Sequence, residues 1–271
     1  MKDHLRQLIL AEPVERRENL AREYLQFYLL RVLQTTGAVP ELAFLGGTAL
    51  RILHQLPRFS EDLEFCVTGT AFDPRHRFLA VHEELVRAGY TVTSKAKAKR
   101  TVASVFFRFD GMPNELGWDR DPRIGLSIKL DVDTRPPKGA RIATTIVHRF
   151  FPIAVRHHDL PSLFAGKLHA LVARPYAKGR DWFDLTWYLT EQTGLEPNGE
   201  LLAAALRQTG HAELAGQDWR KLVATRIQSI DWKSVVRDVE PFLESDADLE
   251  RLDRGRILDL LRLSKRIEPE F

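Results

Sequence analysis

The chain has 271 residues, of which 44% are hydrophobic and 28% charged, a composition that predicts a globular protein with room for two subdomains. No apolar run approaches the roughly 18–20 residues needed to cross a bilayer, and the single cysteine, Cys66, excludes an internal disulfide, so we expect a cytoplasmic protein with no membrane partner. The formal net charge of +3 and a pI near 9.0 permit a nucleic-acid partner without requiring one.

The first half of the chain is predicted to mix helices and strands. Residues 15–35 form the first clear helix, because their apolar side chains recur at helical spacing. The elements expected next are a strand at 42–45, a helix from residue 48, a strand that contains residues 62–65, a helix at 75–89, strands at 101–110 and 124–133 separated by a loop at 114–123, and one or two strands within 141–155.

The second half of the chain is predicted to be helical. Helices are expected at 159–173, 180–190, 198–208, 212–229, 232–244 and 247–265. The change near residues 156–160 predicts an α+β fold with two domains. Residues 1–156 would form a mixed β-sheet core flanked by helices, and residues 157–271 an all-α domain that completes the active-site cleft.

The most informative motif combines two glycines with two acids. Gly46 and Gly47 follow the apolar run at 42–45 and suit a tight turn before a helix. Asp62 and Glu64 would point to the same side of a strand, because side chains alternate with a period of two. Each feature alone is common, but a strand, turn, helix and acidic strand in this order suit a metal-bound triphosphate. The carboxylates would hold Mg²⁺, and the free backbone N–H groups would cradle phosphate oxygens.

A catalytic metal site calls for a third carboxylate on a neighbouring strand. In the strand that ends at Asp133, the side chains of Lys129, Asp131 and Asp133 share the face opposite the apolar residues. Asp131 is the better candidate for the third ligand. For Asp133, a solvated strand face is an equally good explanation.

The helix after Asp159 carries a lysine, Lys167, on its apolar stripe. Such a lysine either extends its ammonium to water or meets a buried anion, and nucleotide phosphates are the functional candidate. In the next helix, Asp181 and Asp184 are three residues apart in the first turn, where acids also complement the helix dipole. Arg180 could bind phosphate or be a surface cation.

A further basic segment alternates with alanines. If residues 95–99 form a strand, Lys95, Lys97 and Lys99 make a basic ridge that Arg100 continues. Phosphate backbones attract such a ridge in a salt-dependent manner. The alternative is an edge strand that its lysines protect from aggregation.

Taken in order, these segments resemble the AbiEii/MenT-type nucleotidyltransferase toxins of the DNA polymerase β-like superfamily. The residues that carry the resemblance are Phe44–Leu50, Arg58–Phe65, Asp159–Leu171, Arg174 and Lys178–Leu185. The likeness extends over about residues 40–190. The sequence departs from the family pattern at Glu64, where Asp is commoner, and at Asp131, where Glu is frequent.

The resemblance implies a role for each matching residue. Metal ligands would be Asp62, Glu64 and Asp131, with Mg²⁺ or Mn²⁺ as cofactor and an NTP as substrate. The nucleotide would contact Gly46, Gly47, Thr48, Arg58, Ser60, Lys167 and Arg180. Catalysis would involve Asp62, Glu64, Asp131, Lys167 and Asp181.

The activity expected from this resemblance is transfer of an NMP to an acceptor hydroxyl, with the 3′ end of tRNA as the favoured acceptor. The protein would then be a toxin that blocks translation, with an antitoxin protein or kinase encoded nearby. Two alternatives stay open: a transferase that modifies a protein or small-molecule hydroxyl, and a non-catalytic nucleotide-binding module.

Overall fold

A computed structural model describes residues 2–69, 72–99 and 101–264, which form helices and one mixed sheet. The strands are β1 (Leu42–Leu45), β2 (Leu63–Val67), β3 (Val92–Lys99), β4 (Val102–Asp110), β5 (Gly125–Asp133), β6 (Ile142–His148) and β7 (Pro152–His158). The helices are α1 (Lys2–Leu10), α2 (Val14–Thr35), α3 (Gly46–His54), α4 (Pro74–Arg87), α5 (Met112–Leu116), α6 (Leu160–Ala173), α7 (Gly179–Glu191), α8 (Gly199–Gln208), α9 (Trp219–Gln228), α10 (Trp232–Val239), α11 (Asp246–Glu250) and α12 (Arg254–Ser264). This α+β composition confirms the predicted fold class.

The seven strands form one sheet in the order β3-β4-β5-β2-β1-β7-β6. At its centre, β2 is antiparallel to β1 and parallel to β5. Strands β5, β4 and β3 follow as an antiparallel meander. This order places the acidic strand β2 directly beside β5, with Glu64 opposite Asp131.

The two faces of the sheet differ because its strands alternate apolar and polar residues. On β5, Ile128, Leu130 and Val132 are fully buried, as predicted. On β4, Phe107 and Phe109 are buried on the same face. The opposite face of these strands carries polar and partly exposed side chains. Burial of a core face of this kind fixes the strand register, since a slip by one residue would invert every side chain.

The chain divides into two compact units. The first contains residues 1–54, 59–136 and 142–157, and the second residues 55–58, 137–141 and 158–271. In the second unit, Asn198 joins one of the short segments to the helices, because its Nδ2 donates to the Gly139 carbonyl at 2.7 Å and to Ser162 Oγ at 3.0 Å. The second unit therefore takes in two short segments that precede residue 157. The division into domains at residues 156/157 stays a prediction.

Several helix predictions were wrong in detail. The loop expected at 114–123 begins within α5, and α1 was not predicted. The helix expected at 247–265 is divided into α11, which ends at Glu250, and α12, which Asp253 caps by accepting from the Arg256 amide at 2.7 Å. Likewise Asp218 caps α9, so that a regular helix begins at Trp219 instead of residue 212. Arg100 and Lys265 lie outside the described residues.

None of the helices in the described ranges combines the length and the apolar character that crossing a bilayer requires. Cys66 is 4% exposed, as expected of a small core residue.

Candidate active site

The glycine at the end of β1 makes room for an acid on β2. Helix α3 begins at Gly46, whose φ of +82° is a conformation that glycine adopts without strain. A Cβ built on Gly46 would lie 1.7 Å from Glu64 Oε2. The Glu64 carboxylate therefore lies against the first residue of the helix, in space that any side chain at position 46 would fill.

The loop that carries Asp62 is held from two sides. Asp62 immediately precedes β2, so the prediction that it lies within the strand was wrong by one residue. The Thr48 hydroxyl donates to the Asp62 backbone carbonyl, and Gln26 Nε2 donates to the Ser60 carbonyl at 2.8 Å. Both contacts use backbone acceptors and do not involve the Asp62 carboxylate.

The third predicted acid has one oxygen engaged and one unengaged. Lys129 Nζ lies 2.6 Å from Asp131 Oδ2. Asp131 Oδ1 is buried and has no hydrogen-bond partner. Asp133, the alternative ligand, accepts from the Arg135 amide at 2.9 Å. An unpartnered buried carboxylate oxygen is costly, and this cost favours a ligand at Asp131.

Burial changes the protonation of Asp62. Burial raises the pKa of Asp62 from 3.8 to about 6, with Glu64 adding to the rise and Lys129 opposing it. Partial burial lowers the pKa of Lys129, but the contact with Asp131 and the charges of Asp62 and Glu64 outweigh it, so that the pKa is raised. The cluster thus carries an excess of negative charge that a cation would relieve.

The residues of this cluster fit a hard divalent ion in their chemistry. Carboxylate oxygens are the ligands that Mg²⁺ prefers, and the unpartnered Asp131 Oδ1 supplies one directly. As they stand, no three His, Cys, Asp or Glu side chains in the described part of the chain are grouped closely enough to hold a metal. Holding an ion would therefore require the carboxylates to converge on it.

In the second unit, Lys167 meets a buried anion, which is one of the two predicted alternatives. Its Nζ lies 2.7 Å from Asp184 Oδ2 and 3.1 Å from Asp181 Oδ1. Arg58 forms a bidentate pair with Asp184, with N–O distances of 2.6 and 2.7 Å. Arg174 pairs with the other oxygen of Asp181. Helices α6 and α7 thus share a charged cluster among apolar residues.

Asp184 is the centre of this cluster and is fully buried. Burial raises the pKa of its carboxyl, but Arg58 and Lys167 outweigh that effect and hold the pKa below its usual range. Sequence reasoning explained Asp184 by the helix dipole and missed this pairing. The one available signal was its place among Trp182, Phe183 and Leu185, a buried stretch in which an acid needs a partner.

The remaining predicted residues have other surroundings. The Arg180 guanidinium lies over the Phe242 ring, 4.1 Å from its centroid. Thr48 is fully buried, and its hydroxyl is used by the Asp62 carbonyl, so its backbone amide is the group left for a phosphate. The roles assigned to Arg58, Ser60, Lys167, Arg180 and Asp181 stay predictions.

The order of strand, glycine-led helix and neighbouring acidic strand is the arrangement on which the resemblance to nucleotidyltransferases rests. Residues 28–254 match the model of the family described as "Nucleotidyl transferase AbiEii toxin, Type IV TA system". The chain therefore belongs to the AbiEii nucleotidyltransferase toxin family and is a nucleotidyltransferase. This match confirms the resemblance seen in the sequence.

Two solved structures share the fold. MenT4, a nucleotidyltransferase toxin from Mycobacterium tuberculosis, is 19% identical with a TM-score of 0.55, over 98% of this chain and 92% of that one. JHP933 from Helicobacter pylori is 18% identical with a TM-score of 0.58, over 92% of this chain and 93% of that one. At these identities the likeness concerns the fold alone. No curated protein sequence matches the chain significantly.

Proposed function

We propose that this enzyme transfers an NMP from Mg²⁺–NTP to the 3′ end of tRNA and acts as the toxin of a toxin–antitoxin system that blocks translation in the cytoplasm. The observation that carries the proposal is the acid cluster on adjacent strands, in which Asp131 keeps an unpartnered buried oxygen. The family description supports an antitoxin partner. That the antitoxin is a protein or kinase encoded nearby stays a prediction. A separate all-α domain at residues 157–271 also stays a prediction.

In this proposal Asp62, Glu64 and Asp131 hold the metal. A bound divalent ion would neutralise the triphosphate and align the attacking and leaving oxygens. The acceptor 3′ oxygen bonds to the α-phosphorus while the bond to the bridging oxygen breaks, and pyrophosphate leaves with the electron pair. Asp131 is the group proposed to accept the hydroxyl proton.

The backbone at the start of α3 is proposed to bind phosphate. A helix N-terminus presents free N–H groups and a positive dipole end to an anion. Gly46, Gly47 and Thr48 provide the first amides of this nine-residue helix. By resemblance, Lys167, Arg180, Arg58 and Ser60 would also serve the nucleotide.

The departure at Glu64 does not weaken the proposal. A glutamate is longer than aspartate by one methylene, and its carboxylate needs room beyond the strand. Gly46 provides that room, because Glu64 Oε2 lies where a Cβ would otherwise be. The missing side chain at position 46 thus makes room for the longer side chain at position 64. This fit favours a Glu64 carboxylate that has kept a function over one that has lost it.

The test is transfer of radiolabel from each of the four NTPs to total tRNA in the presence of Mg²⁺. We expect label at the RNA 3′ end, and we expect Asp62→Ala to reduce transfer below detection, because the group proposed to ligate the metal is removed while the backbone contacts of residue 62 remain. Glu83→Ala, at an exposed position of α4, is the matched control and should transfer normally.

The outcomes separate the alternatives. Label on a protein or a small molecule instead of RNA would show that this molecule, and not tRNA, is the acceptor. Nucleotide binding by calorimetry without transfer to any acceptor would indicate a binding module. Transfer by Asp62→Ala at the wild-type rate would remove the acid cluster from the chemistry.

A further inference from the structure

One face of the sheet connects the acid cluster with the basic edge. Residues directly opposite each other on paired strands have side chains on the same face. Lys95 lies opposite Phe106, and Phe106 lies opposite Lys129. In the adjacent row, Lys97 lies opposite Ser104, Ser104 opposite Asp131, and Asp131 opposite Glu64. The first row therefore crosses three strands, and the parallel second row crosses four and ends at the acids.

The first of these rows is open to solvent and contains an aromatic side chain. Lys95 and Lys97, at the β3 ends of the two rows, are exposed, and Phe106 in the first row is 37% exposed. Lys129 Nζ lies 5.8 Å from the Phe106 ring centroid and 2.6 Å from Asp131 Oδ2. Lys129 thus touches both the aromatic residue and the acid cluster.

The lysines at the edge have uncompensated charge. Within the described part of the chain, Lys95, Lys97 and Lys99 form no ion pair, whereas nearby Arg108 pairs with Asp110 at 2.7 Å. Strand β3 is indeed an edge strand, so protection against aggregation explains exposed lysines. That explanation does not account for the exposed Phe106 beside them or for the continuation of the row into the acids.

We propose that Lys95, Lys97, Phe106 and Lys129, here called the basic track, bind the single-stranded end of the acceptor RNA. This inference deepens the proposed function and rests on it for the chemistry at the end of the strand. The lysines bind phosphates, Phe106 stacks on a base, and the terminal hydroxyl reaches Asp131. The track spans two strand spacings, about 10 Å, which suits a few unpaired nucleotides.

The test measures RNA binding without nucleotide, so that it is independent of transfer. A fluorescent single-stranded RNA is titrated with the wild type and with Lys95→Glu/Lys97→Glu at several salt concentrations, and binding is followed by anisotropy. We expect at least tenfold weaker binding, and a slope of log affinity against log salt reduced by about 1.4 for two lost phosphate contacts. The double variant Lys221→Glu/Lys233→Glu makes the same charge change at exposed positions of α9 and α10 and should bind normally.

A second variant examines the aromatic contact. Phe106→Ala should weaken RNA binding about tenfold with little change in salt slope, because stacking is not ionic. Ile146→Ala, at a 63% exposed position of β6, removes a comparable apolar side chain and should have no effect.

The choice of glutamate separates the two explanations of the lysines, because a charged glutamate protects an edge strand as a lysine does. Equal RNA affinity for the two double variants would overturn the inference, as would tighter binding of the track to an acidic protein than to RNA. If RNA affinity depends on the track but the wild type transfers no nucleotide to RNA, the proposed function fails and the binding site stands.

Discussion

Removing the charge of Asp184 should destabilise the protein strongly. The substitution Asp184→Asn keeps the size of the side chain and leaves Arg58 and Lys167 facing a neutral amide. Asp184 is fully buried, and the two cations approach its oxygens at 2.6 to 2.7 Å. Breaking a buried ion pair by changing one partner costs about 3–5 kcal/mol, because the remaining charge loses its buried counter-charge. For a chain of this size that loss corresponds to a fall in Tm of roughly 6–20 °C.

Urea unfolding followed by tryptophan fluorescence measures this loss, since Trp182 is buried two residues from Asp184 and reports on the same helix. The control is Asp259→Asn. Asp259 also pairs with an arginine, Arg262, at 3.0 Å, but both side chains are largely exposed. An exposed pair of this kind contributes little, so the control should keep the wild-type midpoint.

A double variant tests the stated cause. If the loss of stability comes from buried cations that no longer face the Asp184 charge, adding Arg58→Met to Asp184→Asn should restore part of the stability lost in the single variant. A loss below about 1 kcal/mol for Asp184→Asn, or a double variant whose losses simply add, would refute the reasoning that this cluster is held by charge compensation.

Two other changes have defined outcomes. Because folding raises the pKa of Asp62 from 3.8 to about 6, ionising this carboxyl in the folded protein costs free energy of unfolding. This cost is absent below pH 4 and complete above pH 6. Asp62→Asn should therefore stabilise the protein by about 1–3 kcal/mol at pH 8 and not at pH 4, and a gain that does not vary with pH in urea unfolding would contradict this cause. Gly46→Ala should reduce both stability and transfer, because φ is +82° and the new Cβ displaces Glu64. Gly37→Ala, with φ of +72° and no atom within 4 Å, is the control in which only backbone strain, about 1 kcal/mol, is expected.

The sequence was a good guide where a local period decides the structure. The alternation on β5 correctly placed Leu130 in the core and Asp131 on the opposite face, because a strand with one buried face allows a single register. Strand order and pairing then brought Asp131 beside Glu64, a neighbour relation that was expected but not derivable from either strand alone.

Contacts between distant residues could not be predicted in the same way. Arg58 and Asp184 are 126 residues apart, and no period or spacing connects them. The fit between Gly46 and Glu64 was also beyond reach, since a glycine at the end of a strand is explained equally well by a turn. In both cases tertiary packing, not local propensity, chooses the partner.

The carboxylates of the two charged clusters differ in how far nearby cations neutralise them. In the second unit, Asp184 has its compensation built in, because two cations lie within hydrogen-bond distance and lower its pKa. In the first unit, Lys129 is one cation among Asp62, Glu64 and Asp131, and burial together with the charge of Glu64 raises the pKa of Asp62 to about 6. Folding thus compensates the charge of Asp184. It leaves the cluster of Asp62, Glu64 and Asp131 with an excess of negative charge. A site that becomes electrostatically satisfied only when a cation arrives is suited to binding a nucleotide together with its metal.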